Sequence, residues 1–125
     1  MNFRLILLLF LICPFSSFSQ SEPDYHIKKQ RISLLLDSAA RYAENDPAFS
    51  EPMTVEAYRL AESIEDTAAM SEATRLYAIG SQFLHGKDTT MGAFLKSIEL
   101  ADLIYPCQRA KCILSYADFL RKGEG

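Results

Sequence analysis

Leu76, Gly80 and Phe83 stand four and then three residues apart on one face of an amphipathic run, and similar spacing occurs twice more in the chain. Leu36, Ala40 and Ala43 precede this triplet by 40 residues; Cys112, Tyr116 and Phe119 follow it by 36. Recurrence at three and four residues is the period of a helix, whereas a strand repeats every second residue. Each triplet leads into a turn: Asn45-Asp46-Pro47, Gly86-Lys87-Asp88 and Lys122-Gly123-Glu124. Helices of a second class lie between the triplets, where Leu60-Ala61-Glu62 returns 40 residues later as Leu100-Ala101-Asp102. Two classes of helix alternating at a period of 36 to 40 residues describe a helical-hairpin repeat.

The pattern predicts five helices. The first covers Ile27–Glu44, with Ile32, Leu35, Leu36, Ala39, Ala40 and Ala43 on its apolar face, and Asn45-Asp46-Pro47 breaks it. Ser50 is the expected cap of the second, with Pro52 in its first turn. Asp66 caps the third, Asp88 or Thr89 the fourth, and Pro106 opens a fifth that Gly123 stops. No alternating apolar–polar run of strand length intervenes, so the predicted fold class is all-α. Gly80 stands inside the third helix at a cost of about 1 kcal/mol relative to alanine. Close packing of that helix on the next one offsets the cost in this reading.

Residues Met1–Ser19 read differently. Arg4, the apolar run Leu5–Cys13, Pro14 and then small polar residues form an export signal, with Ser17 and Ser19 at the cleavage positions. The apolar run is short of the ~20 residues that span a bilayer. The predicted organisation is a signal peptide at 1–19, a linker at 20–26 and a helical repeat domain at 27–125. The predicted location is periplasmic or extracytoplasmic, with no membrane contact after cleavage. Removing Arg4 leaves 12 of the 13 Lys+Arg against 16 Asp+Glu, a net charge of −4. These charges are interspersed and form no basic stripe, which argues against a nucleic-acid partner. Cys107 and Cys112 fall on one helix with about 7.5 Å of rise between them, poor geometry for a disulfide. Both are expected to be small buried apolar residues.

The middle unit resembles the tetratricopeptide repeat. Leu76-x2-Ile79-Gly80-x2-Phe83 stands where that family has a large residue, Leu-Gly and an aromatic, and Phe94 and Ser97 match its aromatic and small positions. Thr90 replaces the usual alanine, the turn after Phe83 is about two residues short, and Tyr116 replaces the glycine in the last unit. The resemblance covers residues 32–124 and implies antiparallel hairpins stacked as a short right-handed solenoid of about two and a half repeats. It also implies that the first helix of each pair lines a concave groove. The groove positions would be Thr74, Tyr77, Ser81, Leu84 and His85, then Ala110, Ile113, Ala117, Leu120 and Arg121. Tyr77 and Ser81 stand where chaperone-binding relatives carry the Lys and Asn that clamp a terminal carboxylate. The implied partner is thus an extended or helical protein segment rather than an acidic tail.

Repeat arrays normally end in a polar-faced capping helix, and the last unit shows none. The chain is therefore expected to be part of a longer protein, or to self-associate through its last helix. A signal peptide followed by such repeats resembles the exported sensory regions of bacterial sensor kinases and regulators, which implies a role in signal transduction. The alternative is a structural scaffold or a plain helical bundle.

No catalytic role is expected. His26 and His85 are isolated, without a second ligand at helical metal spacing, and His85 reads as the end of a helix. No serine lies in a nucleophile elbow, and no glycine-rich phosphate loop is present. Glu62, Glu65 and Asp66 read as a solvated helix end. Neither a metal nor a cofactor is implied.

Overall fold

The computed structural model describes residues 23–102 and 105–124. The predicted export signal, its cleavage point and residues 20–22 of the predicted linker lie outside these. Among the described residues the chain is all-α. Helix α1 covers residues 23–42; α2 (Pro47–Ser63), α3 (Thr67–Leu84), α4 (Lys87–Ala101) and α5 (Pro106–Glu124) follow. Residues 23–26, expected to be linker, are already helical, and α1 stops at 42 rather than 44.

The turns show why the helices begin where they do. Asp46 caps α2, its carboxylate accepting from the Phe49 amide at 3.3 Å, and Pro47 takes the first helical position. The helix thus starts a turn before the predicted cap, Ser50, and Pro52 lies inside it. Ser50 is buried and donates its hydroxyl to the Ala39 carbonyl of α1 at 3.0 Å. Helix α2 ends in a Schellman motif: the Asp66 amide bonds the Ala61 carbonyl, the Glu65 amide bonds that of Glu62, and Glu65 has φ 56°. Asp66 then caps α3 as predicted, accepting from the Ala69 amide at 3.1 Å. His85 ends α3, and the cap of α4 is Gly86 rather than Asp88 or Thr89. Pro106 opens α5 as predicted, and that helix continues past Gly123 to Glu124.

Each of α2, α3 and α4 packs on the next helix, and α3 also packs on α5. Helix α1 is tied to α2 through Ser50 and through Arg31, whose Nε donates to Glu56 at 2.7 Å. The core is built largely from small residues, among them Ala39, Ala57, Ala61, Ala78 and Ala101, which let helix backbones approach closely. Several of its buried hydroxyls find partners across the interfaces, while those of Thr54, Thr74 and Ser97 donate to carbonyls of their own helices. Ser71 donates to the Ser97 carbonyl at 2.7 Å, and the Ser81 and Thr90 hydroxyls meet at 3.0 Å. Phe94 is the largest fully buried side chain, with the rings of Tyr116 and Phe119 each 5.6 Å from its own.

Burial recurs along the chain. Helix α2 buries Ser50, Thr54, Ala57 and Ala61; α4 buries Thr90, Phe94, Ser97 and Ala101, each 40 residues after its counterpart. Leu36, Leu76 and Tyr116 keep the same 40-residue step in the other helix class, and all three are buried or half-buried. Phe83, read as a core member of its triplet, is 56% exposed. Gly80 is buried, but its close neighbour is not α4. A β-carbon there would lie 3.5 Å from the Pro47 β-carbon and 3.7 Å from the Ala43 carbonyl oxygen, so Gly80 faces the α1–α2 turn.

Candidate functional site

Helices α2 and α4 both pack on α3, but their backbones do not pack on each other. The space between them is an open cleft of about 450 Å³, floored by Ala73, Thr74 and Tyr77 of α3. Gly92 and Ala93 give the α4 wall little bulk, which keeps the cleft wide. Val55 and Tyr58 of α2 supply its apolar wall. Lys96 reaches across from α4 and holds its ammonium 4.6 Å from the centre of the Tyr58 ring, a cation–π contact that fixes both side chains. Arg59 and Glu62 complete the α2 side. The volume falls in the range of ligand sites, which run from about 300 to 1,000 Å³.

A polar cluster joins α2 to the end of α3. Glu51 accepts from His85 Nε2 at 2.5 Å, and the His85 ring stacks on Tyr77 with centroids 6.0 Å apart. Loss of solvent, and then the charge and hydrogen bond of Glu51, raise the Tyr77 hydroxyl above its ordinary pKa.

A second cluster clamps α3 to α5. Arg75 donates to Glu72 at 2.6 and 3.0 Å, Gln108 donates to it at 2.8 Å and Lys111 at 3.3 Å. Arg75 also donates to the Ser115 hydroxyl at 3.0 Å. Desolvation opposes ionisation of Glu72. The hydrogen bonds from Arg75 and Gln108, with the charges of Arg75 and Lys111, outweigh it and hold the carboxyl below its usual range.

The ten predicted groove residues do not line one continuous groove. Thr74 and Tyr77 meet in the cleft. Ser81 is buried against Thr90 and offers no groove surface, because its side of α3 faces α4. Leu84 and His85 are exposed at the end of α3, where His85 shares a shallow depression with Leu120. Ala110, Ile113, Ala117, Leu120 and Arg121 are all exposed on α5, and none of them lines the cleft. Its walls come instead from Val55, Tyr58, Arg59 and Lys96, on helices the resemblance assigned to the other face. The sequence signal for Tyr58 is its place beside the small-residue stripe Thr54, Ala57 and Ala61, where a large aromatic borders rather than fills an interface.

Both described cysteines are free. Cys112 is buried as expected, 3.4 Å from the Ser71 hydroxyl, whereas Cys107 is exposed rather than buried. Among the described residues no group of three His, Cys, Asp or Glu side chains could hold a metal ion, and no helix is long and apolar enough to cross a membrane. Comparison with protein families, with curated proteins and with solved structures finds no match to this chain.

Proposed function

We propose that the chain is a protein–protein interaction module of the tetratricopeptide-like kind, a short right-handed solenoid whose α2–α4 cleft receives a segment of a protein partner. The observation that carries this reading is the 40-residue step between the buried positions of α2 and α4. Two equivalent helices set side by side on α3, their backbones not packed on each other, leave a cleft between them, and a cleft of this kind accepts an extended or helical segment. The reading includes export, supported by the pattern of residues 1–19, and a place in the interaction or sensory part of a signalling protein, supported by the resemblance alone.

A scaffold reading has its own support. Ile113 and Leu114 of α5 are 43% and 70% exposed, and neighbouring exposed apolar side chains favour self-association. Site-specific photo-crosslinking in the source cells separates the two. A photoreactive residue at Val55 should capture one discrete partner protein, and the same residue at Leu34 on α1 should capture none. Capture at Leu114 of a second copy of this chain, with nothing at Val55, would instead establish the scaffold.

A further inference from the structure

The cleft carries charge as well as apolar surface, and the placement of that charge specifies its occupant. We infer that the cleft takes a short peptide segment in which a side-chain carboxylate, from Asp or Glu, lies next to a large apolar residue. The inference rests on the interaction-module reading and names the chemistry of its partner.

Arg59 on the α2 wall and Lys96 on the α4 wall face the same space from its two sides. Neither is in an ion pair among the described residues, whereas Arg75 and Lys111 in the α3–α5 cluster are both committed to Glu72. Lys96 is also held in place by the Tyr58 ring. Glu62 is the one carboxylate among the cleft-lining side chains, so two cations against one anion leave a net positive site. A carboxylate entering between Arg59 and Lys96 completes the pairing, and charge-assisted bonds to a held cation are the stronger kind. Val55, Tyr58 and Tyr77 then offer an apolar bed for the neighbouring side chain. From Val55 to Glu62 the α2 wall spans about 10 Å at ~1.5 Å per residue. About three extended residues at ~3.3 Å each cover that length, enough for one carboxylate and one apolar anchor.

The test is selection from a phage-displayed library of random seven-residue peptides, with the full chain as bait. The wild-type chain should enrich peptides carrying Asp or Glu within two positions of Leu, Ile, Phe or Tyr. The double variant Arg59→Glu, Lys96→Glu should bind those peptides at least tenfold more weakly and should itself select Lys or Arg. Because both residues are exposed, circular dichroism of the variant should match the parent. If it does not, Arg59→Gln with Lys96→Gln replaces it, with the same tenfold loss expected. Enrichment of peptides without acidic residues keeps the cleft as a binding surface and overturns the carboxylate. Absence of any enrichment overturns both readings.

Discussion

Gly80 separates two kinds of crowding. A β-carbon there meets the Pro47 β-carbon at 3.5 Å, ordinary van der Waals contact. Gly80→Ala should thus keep most of the helix-propensity gain and stabilise the protein by up to ~1 kcal/mol. Gly80→Leu drives further carbons into the α1–α2 turn, and overpacking of that kind costs roughly 1–3 kcal/mol. Denaturant melts of the two variants should move in opposite directions. The need for a small residue could be read from the sequence, but its neighbour could not. Pro47 and Gly80 lie far apart in the chain and meet because α2 and α3 fold back on each other through the Ile64–Asp66 turn. Glu72 supplies a pH test. Its carboxyl is held low in the folded state, so it contributes stability above the ordinary glutamate range of about 4.3, and that contribution is lost as pH falls through the lower folded value. Glu72→Gln should flatten the acid limb of a stability-against-pH curve and lower stability at pH 7. An unchanged acid limb would remove Glu72 from the α3–α5 clamp.

At the scale of the helix, boundaries turn on competing caps. Asp46 and Ser50 both precede a proline closely, and local sequence favours neither. Burial of Ser50 against α1 decides for Asp46, which is tertiary information. Asp66 has no rival and was legible. The Schellman turn between α2 and α3 places Glu65 at the left-handed position that favours glycine, at a cost of roughly 1–2 kcal/mol for a side chain. Glycine relieves that strain and gives back part of the gain as unfolded-chain entropy. Glu65→Gly should therefore raise stability by about 0.5 kcal/mol, and Glu65→Val, branched at the β-carbon, should lower it. Thermal melts of the pair check both signs.

At the scale of the whole molecule, the proposed repeat rests on one internal translation. Leu60-Ala61 and Leu100-Ala101 exposed the 40-residue step in the sequence, because small residues at an interface leave little freedom of register. The 36-residue step to Cys112 pointed elsewhere, since a shift of four residues is about one helical turn and keeps the same face. Leu36, Leu76 and Tyr116 restore the common step. The cleft was less legible, because its width is set by two helices whose backbones do not pack on each other. Neither periodicity nor motif records a distance of that kind.

The repeat itself can be tested by lengthening the chain by one unit. A second copy of residues 47–86 inserted after Gly86 adds an α2–α3 pair, and its Ser50, Thr54, Ala57 and Ala61 would occupy the positions that Thr90, Phe94, Ser97 and Ala101 hold on α3. In a repeat array each added unit contributes its own stability and one more interface. The lengthened chain should keep the parent's ellipticity per residue at 222 nm and melt cooperatively at a higher midpoint. A lower ellipticity per residue, with the melting midpoint unchanged or reduced, would mean that the added unit finds no seat and that the five helices form a closed bundle.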